Sequence, residues 1–157
     1  MPEASALGLL AVAAIEVIAI DHVVVRVRDL EQSLRFYRDA LGCAEERRLE
    51  ELGLIQLRAG ASLIDLVPVD SPLGRAGGVA PGEIGAGSPN VDHFALALSS
   101  FDEGRIRSQL AAHGIEPGEV SLRYGAAGNG PSMYIHDPDG NVVELKGPAG
   151  PGSDARA

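Results

Sequence analysis

The stretch that decides the fold is residues 20–27, IDHVVVRV, because it returns in altered form at residues 91–98 as VDHFALAL. The histidines of the two stretches, His22 and His93, lie 71 residues apart. A strand pattern followed directly by a helical pattern occurs both times, and such internal repetition indicates two copies of one structural unit. The sequence therefore predicts two related β-α halves.

Each repeated strand leads into a predicted helix. In the first half Asp29 is the expected N-cap and Gly42 the stop. In the second half Ser100 and Glu103 have the spacing of a capping box, and Gly114 closes the helix. Side-chain oxygens at the start and glycine at the end are the usual helix boundaries.

Further strands are expected after each helix. Alternating apolar residues predict them, and the Asp-Pro-Asp-Gly sequence at 137–140 predicts a tight turn between the last two. The predicted strands are residues 52–58 and 62–69 in the first half, and 119–124, 132–136 and 142–146 in the second.

The same patterns divide the chain into segments. An apolar run near the N-terminus lacks the basic flank of a secretion signal and is too short to cross a bilayer. The region between the halves is rich in Gly and Pro and is expected to be a linker or surface loop. The predicted segments are an N-terminal extension (1–16), a first module (17–69), the linker (70–90), a second module (91–146) and a flexible tail (147–157).

Composition limits the possible partners. The chain has 157 residues, 45% of them hydrophobic, which suits one domain or two small fused modules with a buried core. Its formal net charge of −9 and the lack of a Lys/Arg stripe make nucleic acid an unlikely class of partner. The single cysteine, Cys43, cannot form an internal disulfide, so a cytoplasmic location is expected. No membrane partner is expected, because the apolar run near the N-terminus is too short to cross a bilayer.

Strand parity predicts which side chains share a face. Side chains alternate along a strand, so His22 and His93 lie opposite the apolar residues expected to pack under the helices. Asp65 and Glu144 occupy equivalent central positions in the last strands of the two halves. Each half therefore offers one imidazole and one carboxylate on the face away from the core.

Carboxylates inside strands are unfavourable unless they are paired or bind a metal. If the sheet closes on itself, the two histidines and two carboxylates can surround one divalent ion. Such a mixed nitrogen and oxygen set suits Zn, Ni, Co, Mn or Fe(II).

The chain resembles the vicinal oxygen chelate superfamily, which includes glyoxalase I, methylmalonyl-CoA epimerase, fosfomycin-resistance thiol transferases, bleomycin-resistance proteins and extradiol dioxygenases. The resemblance covers about Val17 to Lys146. It rests on the Asp-His pairs at 21–22 and 92–93, Arg-Asp-Leu at 28–30, Phe-Tyr at 36–37, Asp-Pro-Asp-Gly-Asn at 137–141 and Val-Glu-Leu at 143–145.

The resemblance implies an α+β fold in which two βαβββ modules form a curved mixed sheet around a metal, usually in homodimers. It also implies His22, His93 and Glu144 as metal ligands. Asp65 lies where glyoxalase I has a glutamate; because Asp is one methylene shorter, its contact with the metal needs a backbone adjustment or a bridging water.

Three functions follow as hypotheses. The first is a glyoxalase I-like lyase or isomerase in which the metal chelates vicinal oxygens of a small-molecule substrate and Glu144 moves a proton, with Asp65 as the second candidate base. The second is an Fe(II) extradiol-type dioxygenase, against which a fourth ligand at Asp65 argues. The third is a non-catalytic protein that binds an antibiotic or another small molecule.

Several residues beyond the ligand set are candidates for substrate contact. Arg26, Arg58 and Arg123 either bind an anionic substrate group or are ordinary surface arginines. Tyr134 lies on the face where it can donate a hydrogen bond to a substrate. The glycines at 125, 128 and 130 predict either a mobile flap or an ordinary hairpin loop.

Overall fold

The computed structural model describes residues 17, 19–76 and 91–150. The predicted extension at 1–16, residues 77–90 of the predicted linker and residues 151–157 of the predicted tail lie outside the described residues. Within the described ranges, no helix combines the length and apolar character needed to cross a membrane.

The first module is a βαβββ unit with a mixed sheet. Its strands are ordered β1-β4-β3-β2, and the first strand pairs in parallel with the last. Strand β2 was not predicted, because only its last residue is a large apolar one and the sequence shows no apolar alternation. The elements are β1 (His22–Val27), α1 (Leu30–Leu34) continuing as a π-helical segment (Arg35–Ala40), β2 (Ala44–Leu49), β3 (Leu54–Ala59) and β4 (Ser62–Pro68).

The second module repeats this plan. Its strand order is β5-β8-β7-β6, again with the first and last strands parallel. The predicted α+β fold of two βαβββ modules is therefore confirmed. After a short helix α2 (Pro72–Ala76), the elements are β5 (His93–Ala97), α3 (Glu103–Ala112), β6 (Ser121–Gly125), β7 (Gly128–His136) and β8 (Val142–Lys146).

One predicted helix start is confirmed and one is wrong. The Asp29 carboxylate accepts a hydrogen bond from the backbone N–H of Gln32 at 3.0 Å. In the second module Asp102, not Ser100, is the N-cap, and its carboxylate accepts from the N–H of Arg105 at 3.0 Å. Both are good capping residues, so the sequence alone did not separate them.

Two segments next to the predicted modules also have defined structure. Helix α2 lies inside the predicted linker; at five residues it is too short to show a helical period in the sequence. The beginning of the predicted tail is tied to strand β7, because the N–H of Gly147 donates to the carbonyl of Pro131 at 2.7 Å. The N–H of Gly150 likewise donates to the carbonyl of Asn129.

The core confirms the predicted strand parity. Val25 and Val27 are buried, whereas His22 and Val24 on the same strand are exposed. One hydrophobic cluster includes side chains from both modules, among them those of Leu57 and Ile135. The helix-covered faces of the two sheets thus contribute to a common core, and the opposite faces carry the candidate site residues.

A buried hydrogen bond joins the modules. The Tyr37 hydroxyl donates to the Asp137 carboxylate at 2.7 Å. That carboxylate also accepts from the backbone N–H groups of Asp139 and Asn141 and from the Asn141 amide. Burial, reinforced by the charge of Asp137, raises the pKa of Tyr37 well above its usual range, so the phenol remains a donor. The predicted turn at 137–140 is therefore also an anchor for the first helix.

Replacing Tyr37 with Phe removes this donor and leaves a buried carboxylate oxygen without it. We expect Tyr37→Phe to lower the free energy of unfolding by about 1.5–3 kcal/mol, the usual range for a hydrogen bond to a charged group. Urea denaturation followed by circular dichroism measures this.

The matched control is Arg28→Gln, which removes the exposed Arg28 guanidinium from its ion pair with the largely buried Asp139 carboxylate on the same turn. Because the lost cation is exposed to solvent and the backbone N–H of Arg28 still donates to that carboxylate, its effect should be smaller. An equal loss in both variants would contradict the assignment of the junction to Tyr37.

Candidate functional site

The strand register sets the same arrangement of histidine and carboxylate in both modules. Asp65 lies on β4 two residues beyond the direct partner of His22. Glu144 lies on β8 two residues beyond the direct partner of His93. Because both strand pairs are parallel, each carboxylate is on the same face as its histidine and diagonal to it. We call these pairs the first half-site (His22 and Asp65) and the second half-site (His93 and Glu144).

The second half-site is in direct contact. Nε2 of His93 lies 3.3 Å from Oε2 of Glu144, whose residue is only 7% exposed. The other carboxylate oxygen, Oε1, is buried and has no hydrogen-bond partner among the described residues. A buried acceptor without a partner costs free energy, and a bound cation or hydrogen-bond donor would offset that cost.

In the first half-site, the carboxylate of Asp65 is already hydrogen-bonded. Asp65 is 5% exposed, and both of its oxygens accept from the Gln56 amide at 3.1 Å. Its negative charge acts on His22 across the strand pair. Asp65 is thus partnered, whereas Glu144 retains an open oxygen.

Two aspartates orient the histidine rings, and their role was not predicted from the sequence. The Asp21 carboxylate accepts from Nδ1 of His22 at 2.7 Å, and the Asp92 carboxylate accepts from Nδ1 of His93 at the same distance. The hydrogen bond that His22 donates to Asp21, with the charge of Asp65, raises the pKa of His22. The signal in the sequence was the repetition of Asp-His itself in both halves.

This orientation matters for metal binding. A carboxylate on Nδ1 is the common outer partner of a metal-bound histidine and leaves Nε2 free as a ligand. In a neutral imidazole, Nε2 of His93 then has a lone pair directed at the Glu144 carboxylate, so two acceptors face each other. Two ligand atoms about 2.1 Å from one ion lie roughly 3.0–3.4 Å apart, which is the separation of this pair.

The two half-sites do not meet within one chain. Among the residues that the structure describes, no group of three or more His, Cys, Asp and Glu side chains is close enough to hold a metal ion. The structure therefore brings together two of the four predicted ligands, His93 and Glu144, and keeps His22 and Asp65 as a separate pair.

Tyr134 borders the second half-site. It is the direct strand partner of Glu144, and its ring meets the His93 ring edge-on with centroids 5.2 Å apart. The Arg123 guanidinium lies over the Tyr134 ring, 4.4 Å from the ring centroid. Of the other candidate arginines, Arg58 is paired with Glu46, and Arg26 donates to the carbonyl of Gly74 at 2.9 Å.

The segment with glycines at 125, 128 and 130, predicted to be either a mobile flap or a hairpin loop, is a regular hairpin. Gly125 pairs with Gly128 across a two-residue turn, and Gly130 pairs with Arg123 in the same ladder. The glycines are therefore part of the sheet next to the second half-site, which agrees with the hairpin interpretation.

Comparison with known proteins assigns the family. The sequence model of the Glyoxalase/Bleomycin resistance protein/Dioxygenase superfamily matches residues 19–145. The chain belongs to this superfamily. The match spans both modules and both half-sites.

The chain is also similar to a virulence protein in both sequence and structure. The chain is 26% identical over 132 residues to virulence protein STM3117 of Salmonella typhimurium, covering 80% of this chain and 81% of that protein. The crystal structure of the same protein superposes with a TM-score of 0.63 at 27% identity and covers 86% of this chain and all of the other.

Two more distant superfamily structures show the same fold. The structure of lactoylglutathione lyase from Agrobacterium tumefaciens has a TM-score of 0.57 at 24% identity, covering 82% of this chain and 92% of that one. The fosfomycin resistance protein FosX from Listeria monocytogenes has a TM-score of 0.60 at 17% identity, covering 85% and 96%.

The open oxygen of Glu144 predicts an effect on stability. Without metal, Glu144→Gln should raise the free energy of unfolding by about 1–2 kcal/mol, because a neutral amide is less costly to bury than a carboxylate lacking a partner. Asp65→Asn should lower it, because the new amide opposes the Gln56 amide. Urea denaturation of chelator-treated protein at pH 8 compares the two. A destabilising Glu144→Gln would contradict this description of the site.

Proposed function

We propose that the protein is a glyoxalase-like metalloenzyme of the lyase or isomerase type. In this proposal a divalent metal chelates two vicinal oxygens of a small substrate, and a carboxylate transfers a proton between neighbouring carbons. The observation that carries the proposal is the second half-site, where an oriented histidine nitrogen faces a buried carboxylate with one open oxygen.

The donor set fits a divalent ion of the first transition row. Two imidazole nitrogens and two carboxylates suit Ni, Co, Zn, Mn or Fe(II). His22, His93 and Glu144 are the proposed ligands, with Asp65 as the fourth. Because both oxygens of Asp65 accept from Gln56, its contact with the metal requires the amide to move or a water to bridge.

We propose that two copies of the chain form each metal site. The first half-site of one copy and the second half-site of the other together supply the four ligands. The separation of the half-sites within one chain supports this arrangement. A homodimer then contains two equivalent sites, as twofold symmetry requires.

A metal held by His22, His93 and Glu144 would supply Lewis acidity for a substrate carbonyl. Glu144 is the proposed base: its open oxygen accepts a proton from the carbon next to the carbonyl and returns it to the neighbouring carbon. Asp65 is the weaker candidate because Gln56 occupies its oxygens. Tyr134 lies beside His93 and Glu144, where its hydroxyl can orient the substrate.

The same restraint on Asp65 favours one second candidate function. If Asp65 stays away from the metal, the remaining ligands are two histidines and one glutamate. This is the facial triad of Fe(II) oxygenases, which leaves positions for substrate and dioxygen. An extradiol-type dioxygenase is therefore the alternative, and the identity of the bound metal separates the two proposals.

A reducing cytoplasm is the proposed location, because Cys43 is a lone buried thiol whose pKa is raised by burial. Such a thiol is poorly suited to disulfide chemistry.

Elemental analysis tests the metal assignment. Protein purified anaerobically without a metal-affinity tag should contain about one Ni, Co, Mn or Zn per chain, in line with one site per half of a symmetric dimer. The His22→Ala/Glu144→Ala double variant should contain none. Iron would favour the dioxygenase. No metal in either protein after reconstitution would contradict both enzymes and leave a small-molecule binding protein.

Mixed dimers test whether two copies share each site. His22→Ala and Glu144→Ala should each bind no metal alone. Unfolded together and refolded as an equal mixture, they should recover about one quarter of the wild-type metal, because half of the dimers are mixed and each has one intact site. Metal content and activity are both measured.

The matched control mixes His93→Ala with Glu144→Ala. Both changes are in the second half-site, so every site in the mixed dimer has a defect and nothing should be recovered. Equal recovery in both mixtures, or none in either, would contradict a site shared between copies.

The aspartates that orient the histidines give a further prediction. Asp92→Asn weakens the hold on Nδ1 of His93 and should lower metal affinity about 10–100-fold, as is typical when an outer partner of a ligand is removed. Competition with a chromophoric chelator measures the affinity. Asp102→Asn, whose side chain caps α3 by accepting from the Arg105 N–H, should leave the affinity unchanged; unchanged affinity in Asp92→Asn as well would contradict the orienting role.

A further inference from the structure

The face that carries the second half-site also carries two cations without acidic partners. Arg123 and Lys146 form no ion pair with any carboxylate of the described residues, although the chain has a net charge of −9. Arg28, Arg58 and Arg107, by contrast, each have a carboxylate partner. Unpaired cations in an acidic protein are candidates for binding an anionic ligand.

The sheet places both cations on the site face. Lys146 is two residues from Glu144 on β8, so the two side chains point to the same side. Arg123 pairs with Gly130 on the neighbouring ladder. Its Nη1 donates to the hydroxyl of Ser132 at 2.7 Å, and Ser132 is the direct partner of Lys146.

The Lys146 side chain crosses strand β7 towards Arg123. A Cβ on Gly130 would lie 2.9 Å from Nζ of Lys146, and a Cβ on Gly125 would lie 3.1 Å from its Cε. The backbone at 147–148 also passes close to Gly130. The glycines thus leave room for the lysine to extend over the hairpin to the strand that carries Arg123.

Both cations retain donors for a ligand. Nζ of Lys146 has only two long contacts, of 3.4 Å, to the carbonyls of Gly128 and Gly147. Arg123 uses Nη1 for Ser132, while Nε and Nη2 donate no hydrogen bond among the described residues. Its guanidinium is held over the Tyr134 ring, so it is already oriented. Both side chains are half-buried and therefore reachable from the site face.

We propose that Arg123 and Lys146 form an anion subsite beside the metal ligands. The Arg123 guanidinium stacks on Tyr134, the direct strand partner of Glu144, and Lys146 lies two residues from Glu144 on β8, so the subsite adjoins the second half-site. Resting on the proposed function, this defines a substrate class: small molecules with a chelating pair of oxygens and a separate carboxylate or phosphate group.

The first test is independent of metal. Metal-free, ¹⁵N-labelled protein is titrated at constant ionic strength with inorganic phosphate and, separately, with acetate. The N–H signals of Arg123 Nε, Gly128 and Gly130 should shift saturably with at least one of the two anions, and the anion that binds more tightly identifies the group preferred. Lys146→Met should weaken that binding at least about fivefold, since a charged donor is lost.

Arg123→Gln is the second variant, so that one folding failure does not decide the result. Arg105→Gln removes a cation from the exposed surface of α3 and should bind like the wild type. Unsaturable shifts, or equal affinity in Lys146→Met and the wild type, would overturn the subsite.

The second test uses the metal-loaded protein and two ligands of equal length. By calorimetry, 2-hydroxyadipate should bind at least about tenfold more tightly than 2-hydroxyhexanoate, which lacks the second carboxylate. Lys146→Met should reduce this ratio towards one. Equal binding, or binding of neither ligand, would contradict the substrate class.

The two tests separate the subsite from the proposed enzyme. A protein that binds phosphate at Arg123 and Lys146 but takes up no metal would retain the subsite and lose the proposed function. Metal binding without a preference for 2-hydroxyadipate would retain the proposed function and contradict the subsite.

Discussion

The parallel pairing of the first and last strand in each module is the constraint on which the candidate site depends. It places a histidine and a carboxylate diagonally on one face, and it does so twice with the same register. Because side chains alternate, a slip of one residue would turn the carboxylate into the core and an apolar side chain towards the site. The buried residues on the opposite face, such as Ile64 and Val143, therefore fix the position of the ligands.

The junction between the modules has a different role. The bond from Tyr37 to Asp137 and the shared core hold the helix-covered sides together. Each site face carries one half-site. Val24 and Val91, whose side chains are exposed, lie two residues along the chain from His22 and His93, respectively. In the proposed enzyme a second copy supplies the other two ligands, because it brings the complementary half-site without any change in the fold of the first.

The elements that the sequence predicted correctly are those with local patterns. Alternation along β1 and β5 identified the core face, and repetition linked His22 to His93 and Asp65 to Glu144. Strand β2 was missed because it is mostly polar at an exposed edge, and the N-cap of α3 was misplaced because Ser100 and Asp102 cap equally well.

Other features required the three-dimensional arrangement. The turn at 137–140 was predicted, but nothing local indicated that Asp137 accepts from Tyr37, one hundred residues earlier in the chain. The glycines of the β6–β7 hairpin were compatible with either a mobile flap or an ordinary hairpin loop, and nothing local indicated their contact with Lys146, which is remote in sequence; in the structure they make space for its side chain. Long-range contacts of this kind leave no periodic signal.

The most direct test of the account is the position of the metal itself. Crystals of cobalt-loaded protein, measured at the cobalt absorption edge, give an anomalous difference map. The account predicts one peak per chain, within about 2.5 Å of His93 Nε2 and a Glu144 oxygen of one copy and of His22 Nε2 of a second. A peak whose protein ligands all come from one copy, or the absence of a peak at these histidines, would contradict it.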